Sequence, residues 1–211
     1  NLDPQNEDAY YYRGRSYFKL GQHDLAISDF TPAINLDPQN EDAYYYRGRS
    51  YFELERHDPA ITDFTKAIEI NPISAYYNWR GRQYREQKRY DLALADINQA
   101  ILLNPKDDKS FLERGVVYFE TKNYEMALRD FSESIALDPK DPGVYHWRAT
   151  SFRMLKRYDL ALKDLNKSIE IDNANGLLYH HRGLIYRGFN NEVQAQRDFQ
   201  RARELGYRPK N

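Results

Sequence analysis

Residues 1–18, NLDPQNEDAYYYRGRSYF, recur letter for letter at residues 35–52. The offset is 34 residues, and a period of about 20 to 50 residues is typical of solenoid proteins. Followed along the chain, this period predicts six repeats, namely 7–40, 41–73, 74–107, 108–141, 142–175 and 176–207. Residues 1–6 look like the tail of a preceding repeat and 208–211 like a C-terminal tail. We therefore interpret the chain as a piece of a longer protein.

Small residues recur at fixed positions, counted from the first residue of each repeat. Position eight is Gly14, Gly48, Gly81, Gly115, Ala149 and Gly183, and position twenty is Ala26, Ala60, Ala93, Ala127, Ala161 and Ala195. Helices approach closely where side chains are small, and Tyr10, Gly14 and Tyr17 have the spacing of one helix face. Proline follows the second helical stripe of four repeats and ends the helix there. Each repeat is thus predicted to be two antiparallel helices.

This pattern resembles the tetratricopeptide repeat (TPR). The resemblance covers essentially residues 1–207 and lies in an aromatic at position four, Gly at eight, Tyr at eleven, Ala at twenty, Phe at twenty-four, Ala at twenty-seven and Pro at thirty-two. It implies an all-α fold, an α-solenoid whose six helix-turn-helix units form a right-handed superhelix. In that family the first helices line the concave face and the second helices the convex face.

Charged residues recur with the same period, with arginine at position seven and aspartate at position twenty-three of every repeat. The pairs are Arg13 and Asp29, Arg47 and Asp63, Arg80 and Asp96, Arg114 and Asp130, Arg148 and Asp164, and Arg182 and Asp198. Six arginines could form a ladder for a polyanion. A guanidinium beside the small core residues needs an anionic partner, however, and the facing aspartate supplies one. We therefore predict ion pairs within the repeats.

The sequence predicts neither an enzyme nor a cofactor-binding protein. Cysteine is absent, and His180 and His181 would point about 100° apart on a helix, which argues against a metal site. Acidic residues repeat with the period instead of forming one unique acid–base pair. A net charge of −1 argues against nucleic-acid binding, and no apolar run is long enough to span a membrane.

The concave face of the first helices is the predicted binding groove. Its candidate residues are Tyr11, Arg15, Tyr45, Arg49, Asn78, Trp79, Arg82, His146, Trp147 and His180. Tyrosine, tryptophan and arginine are common interface anchors, and arginine occupies position nine of the first three repeats. This half favours an acidic or carboxylate-bearing segment, whereas the second half is more apolar. The alternative is that the aromatic residues pack between repeats and the arginines pair with Asp8, Asp42 or Glu53.

One family-specific function is not supported by the sequence. TPR domains that hold the C-terminus of heat-shock chaperones use a Lys/Asn/Arg carboxylate clamp spread over three repeats. At the matching positions this chain has Tyr11 and Arg15, then Tyr46, then Ala75 and Trp79. The next window has Asn78 and Arg82, then Glu113, then Gly143 and Trp147. The resemblance therefore predicts no chaperone clamp.

Two functions remain open at this point. The first is a protein-interaction scaffold that binds a partner peptide or protein segment in the groove. The second is a structural spacer or oligomerisation arm of a larger multidomain protein, in which self-association is expected. A monomer that captures peptides would favour the first, and a mass that depends on concentration would favour the second.

Overall fold

The computed structural model describes residues 5–209, and within that range the chain forms twelve α-helices and no strand. The helices are α1 (Glu7–Lys19), α2 (His23–Leu36), α3 (Glu41–Glu53), α4 (His57–Ile70), α5 (Ser74–Glu86), α6 (Tyr90–Leu103), α7 (Asp108–Glu120), α8 (Tyr124–Leu137), α9 (Pro142–Met154), α10 (Tyr158–Ile171), α11 (Gly176–Gly188) and α12 (Glu192–Glu204). Each predicted repeat therefore contributes two helices, which confirms the all-α solenoid fold. None of the described helices is long and apolar enough to cross a bilayer.

The helices form two compact groups, one ending at Pro105 (the N-terminal half, α1–α6) and one beginning at Lys106 (the C-terminal half, α7–α12). In the N-terminal half the first helices contact one another, α1 with α3 and α3 with α5. The second helices of this half, α2, α4 and α6, do not contact one another within the described residues. In the C-terminal half α9 likewise contacts α7 and α11. The first helices are therefore the inner layer of each half.

Close packing within each helix pair explains the small residues. Every alanine at position twenty is fully buried. A Cβ atom added to Gly14 would lie 2.9 Å from the ring of Phe30, and one added to Gly115 would lie 2.6 Å from the ring of Phe131. Both phenylalanines are fully buried. Position eight must therefore be small because the side chain at position twenty-four, a phenylalanine in four repeats, lies directly against the helix.

The predicted Arg–Asp ion pairs are present in all six repeats, which confirms that prediction. In each pair the Nε and one terminal nitrogen of the arginine donate to the two carboxylate oxygens, the geometry of a bidentate pair. The six pairs have closest distances of 2.6 to 2.8 Å. The aspartates are all buried. The pair joins the first helix of each repeat to its second helix.

The same arginines also connect neighbouring repeats, which sequence reasoning missed. The remaining terminal nitrogen of Arg47 donates to Thr31 Oγ1 of the preceding repeat at 3.2 Å. Arg80 donates to Thr65 Oγ1 at 3.1 Å in the same way. In the C-terminal half, Arg148 donates to Ser132 Oγ and Arg182 donates to Asn166 Oδ1 in the same way. Position twenty-five thus supplies the third contact of these guanidinium groups.

The turn inside each repeat adopts a left-handed backbone at position fifteen. Gly21 has φ of 71° there. The other repeats place a side chain at the same position, and the residues are Glu55, Lys88, Lys122, Lys156 and Asn190, with φ between 56° and 64°. Left-handed backbone is unfavourable for residues with a Cβ. Packing of the two flanking helices must therefore hold these five turns in place.

Candidate functional site

The candidate binding surface of the N-terminal half is the face of α1, α3 and α5 that carries position nine. We call Arg15, Arg49 and Arg82 the arginine stripe. These residues occupy the same position on three helices of one layer, and all three side chains are half-buried. The surface therefore combines fixed positive charge with the aromatic rings around it.

Arg49 lies between two aromatic rings from the neighbouring repeats. Its Cζ atom is 4.7 Å from the ring centre of Phe18 on α1 and 4.8 Å from that of Trp79 on α5. Its Nε atom is buried without a hydrogen-bond partner, while a terminal nitrogen lies 3.5 Å from Tyr45 Oη. A cation over an aromatic face gains about 0.5 to 2 kcal/mol. The rings thus hold this guanidinium in one orientation.

The other two members of the stripe also lie over aromatic rings. Arg15 Cζ is 5.0 Å from the ring centre of Tyr46 on α3 and 5.6 Å from that of Tyr11. Arg82 Cζ is 4.5 Å from the ring centre of Phe52 on α3. Each arginine therefore contacts an aromatic residue of an adjacent repeat, and the stripe continues across all three repeats of this half.

The predicted alternative pairing of the stripe with nearby carboxylates is wrong for two of its members. Within residues 5–209, neither Arg15 nor Arg49 has a carboxylate oxygen within salt-bridge distance. The carboxylate of Asp42 instead accepts hydrogen bonds from Tyr11 Oη at 3.4 Å and Tyr76 Oη at 3.2 Å. Within residues 5–209, Arg15 and Arg49 thus form no salt bridge with an acidic side chain, although the charge of Asp42 acts on Arg15 from nearby.

The prediction that the aromatic residues pack between repeats is confirmed. Trp79 stacks on Phe64 with ring centres 6.2 Å apart and an interplanar angle of 27°. Tyr46 stacks on Phe30 at 6.1 Å and 18°. Both rings therefore have a structural role, and because they are half-buried they also keep an exposed edge.

Two candidate residues of this half lie in the interior. Tyr11 is 7% exposed and Asn78 is 8% exposed, so neither offers much surface to a partner. Burial, with a smaller effect from Asp42, raises the pKa of Tyr11 to about 12. Tyr45 is half-buried and lies against Tyr76 with ring centres 5.1 Å apart, and burial raises its pKa as well. Tyr11 and Tyr45 contact the stripe, since their ring centres lie 5.6 Å from Arg15 Cζ and 5.5 Å from Arg49 Cζ.

In the C-terminal half the candidate residue Trp147 has the same packing as Trp79. It lies edge-to-face on Phe119 with ring centres 5.3 Å apart and stacks on Phe131 at 6.4 Å. Position nine differs from that of the N-terminal half, because it is Val116 on α7 and Thr150 on α9, and both residues are buried. The arginine stripe therefore has no counterpart on α7 and α9.

The candidate His146 contacts a histidine that sequence reasoning did not select. His146 Nε2 lies 2.6 Å from His181 Nδ1, a hydrogen bond between two half-buried rings. Burial, and then Arg153, lowers the pKa of His146 to about 4. Burial, followed by the charges of His146, His180 and Arg153, lowers the pKa of His181 to about 3. Both rings are therefore neutral near pH 7.

His180 lines a small cleft at the last repeat, and its ring centre is 5.9 Å from that of His181. Its ring lies 5.3 Å from Phe199 and 5.0 Å from Tyr207, measured between ring centres. Leu184 and Arg187 also line the cleft, which has a volume of about 230 Å³. Burial, with Arg187 second, lowers the pKa of His180. No cluster of ligating side chains suited to a metal ion occurs in residues 5–209.

Comparison with known families gives four matches. A model described as TPR repeat matches residues 14–54, and three described as tetratricopeptide repeat match residues 41–73, 80–142 and 142–175. Together they cover 14–73 and 80–175. In the comparison with curated proteins, none matched.

Solved structures share the fold at low sequence identity. A chain in the crystal structure of the APC/C hetero-tetramer Cut9–Hcn1 is 20% identical with a TM-score of 0.85, and the match covers 96% of this chain and 40% of that one. PilF of Pseudomonas aeruginosa is 21% identical with a TM-score of 0.82, and the match covers 94% and 91%. YrrB, a TPR protein with an unusual peptide-binding site, is 21% identical with a TM-score of 0.65, and the match covers 84% and 92%.

Proposed function

Because the chain belongs to the tetratricopeptide repeat family, we propose that it is a protein-interaction scaffold that binds a partner segment on the inner face of its first helices. The observation that carries this proposal is the arginine stripe. Arg15 and Arg49 hold charge over aromatic rings, and neither forms a salt bridge within residues 5–209. Arginine and aromatic side chains held in place before binding lose little conformational entropy when a partner arrives.

In this proposal the two halves of the chain offer different binding surfaces to the partner. The N-terminal half binds an acidic part of the partner at Arg15, Arg49 and Arg82. The C-terminal half offers an apolar contact at the exposed edge of Trp147 and a cleft beside His180. The similar protein YrrB has a peptide-binding site, which agrees with use of this fold for peptide capture. We expect no chaperone carboxylate clamp and no catalytic activity, since the repeat fold is typically non-catalytic.

Affinity capture from a native extract tests the proposal. Three baits are compared, namely the wild-type chain, an Arg15→Ala/Arg49→Ala double variant and an Arg89→Ala control. Arg89 is a suitable control because it also lies over a ring, 4.8 Å from the centre of Tyr84, but stands in an exposed turn. The double variant should melt a few degrees below the wild-type chain because it loses cation–π contacts between repeats, so all three baits are compared at a temperature at which each is folded.

We expect a partner that the wild-type chain and the control retain and the double variant loses. If all three baits retain the same proteins, the binding surface lies elsewhere. Capture of nothing, together with a mass that rises with concentration in sedimentation, would favour the alternative of a spacer or oligomerisation arm.

A further inference from the structure

The spacing of the arginine stripe restricts the conformation of whatever binds it. Arg15 and Arg49 occupy the same position on α1 and α3, which contact each other directly. Packed helices have axes about 8 to 10 Å apart. The two guanidinium groups also have similar surroundings, since each lies over a ring of the next repeat at 5.0 and 4.8 Å. We therefore expect the positive charges to repeat at about the spacing of the helix axes.

Few peptide conformations present side chains on one face at this interval. In a β-strand, alternate residues on one face are about 6.6 to 6.8 Å apart. One turn of an α-helix advances about 5.4 Å. A polyproline II helix has three residues per turn with a rise of about 3.1 Å, so every third residue lies on one face about 9.3 Å from the last. The interval between residues on one face of a polyproline II helix therefore matches the expected interval between the two arginines.

The surface between the two arginines suits the same conformation. The ring of Tyr46 lies under Arg15, and its centre is 5.5 Å from that of Phe18, which lies under Arg49. The two arginines are thus joined by half-buried aromatic rings. Polyproline II segments dock against aromatic surfaces because their proline rings pack on aromatic faces and their backbone is already ordered.

The positive charge of the stripe favours acidic side chains in the bound segment. Neither Arg15 nor Arg49 has a carboxylate partner among residues 5–209, and a stacked guanidinium still presents N–H groups at its edge. A carboxylate accepts two such hydrogen bonds in the geometry that favours arginine over lysine.

We infer that the arginine stripe binds a polyproline II segment with an acidic side chain at every third residue. This inference rests on the proposed function and adds the chemistry and spacing of the bound segment. It uses the contacts of Arg15 and Arg49 alone.

Fluorescence anisotropy with three labelled, end-capped peptides of equal charge tests the inference on the whole chain. The first is a repeated Glu-Pro-Pro peptide. The second has the same composition with its glutamates in one block, and the third is an alanine-rich helical peptide with glutamate at every seventh residue. The proteins are the wild-type chain, Arg49→Gln and the Arg89→Gln control, measured at low and physiological salt, because attraction between exposed charges weakens as salt rises.

We expect the Glu-Pro-Pro peptide to bind the wild-type chain about ten-fold more tightly than the block peptide. Arg49→Gln should weaken its binding about ten-fold through the loss of one charge-assisted contact. Arg89→Gln should leave binding unchanged.

Equal binding of the spaced and block peptides would overturn the inference, as would tighter binding of the helical peptide or binding by no peptide. These outcomes are distinct from failure of the proposed function, because affinity capture by the wild-type chain and loss by the double variant do not depend on peptide spacing.

Discussion

The guanidinium carbon of Arg49 on α3 lies 4.8 Å from the centre of the Trp79 ring on α5. This contact joins a charged residue of the second repeat to an aromatic anchor of the third. Trp79 also stacks on Phe64 of the second repeat, so its position is fixed by the packing of the array. The proposed binding surface and the repeat interface therefore share side chains in the N-terminal half.

Exposure of the arginine should set the cost of breaking each ion pair. The side chain of Arg47 is 16% exposed and that of Arg13 is 43% exposed, although both bind their aspartates in the same geometry. Asp63→Asn leaves a mostly buried charge without its partner and should cost about 3 kcal/mol, whereas Asp29→Asn should cost about 1 kcal/mol because Arg13 reaches water. Urea unfolding of the two variants measures the difference. Equal losses would show that arginine burial does not determine the cost.

The histidine pair of the C-terminal half should make the stability fall in mild acid. Burial lowers the pKa of His146 to about 4 and that of His181 to about 3, from an ordinary value near 6.5. The unfolded chain therefore binds more protons below about pH 6.5, so the stabilising contribution is present above that pH and is lost as the pH falls towards about 4.

A His181→Gln variant is the matched comparison for this effect. Wild-type stability should drop by a few kcal/mol between about pH 7 and 4, at up to about 1.4 kcal/mol per pH unit for each histidine. The variant should lose less over the same range, because one of the two groups no longer titrates. Urea unfolding at several pH values measures both slopes, and parallel curves would contradict the account.

Glycine should stabilise the strained turns. Lys122 is exposed and has φ of 64°, while repeat one has Gly21 with φ of 71° at the equivalent position. Lys122→Gly should raise the free energy of unfolding by about 0.5 to 1 kcal/mol, since glycine has no Cβ to strain the left-handed backbone. Gly21→Ala should lower it by a similar amount. Thermal unfolding of both variants checks the prediction, which fails if their shifts have the same sign.

The regular part of the molecule could be predicted because it repeats. Six copies of one pattern identify the positions that every repeat needs, and they gave the helices, the small crossing residues and the ion pair of Arg47 with Asp63. The same comparison missed Thr31 and Thr65 as acceptors, because position twenty-five varies among Thr, Ser, Asn and Gln. A position with changing residue types gives no periodic signal even when its hydrogen bond is maintained.

The candidate site was harder to predict because it depends on contacts between repeats. Spacing along one helix placed Tyr11 and Asn78 on the groove face, yet both residues are buried in the folded array. His181 contacts His146 through a separation of 35 residues, one more than the repeat period. The direction of a side chain at a repeat interface depends on the neighbouring repeat as well as on its own helix.

Site-specific photo-crosslinking tests most directly which face binds a partner. A photoreactive phenylalanine analogue replaces Glu53 at the end of α3, or Glu69 on the second helix α4 of the same repeat. Both residues are exposed, so the two variants differ chiefly in the face that they probe. We predict that irradiation in native extract yields a partner adduct from position 53 and none from position 69. An adduct from position 69 without one from position 53 would contradict binding on the inner face of the first helices.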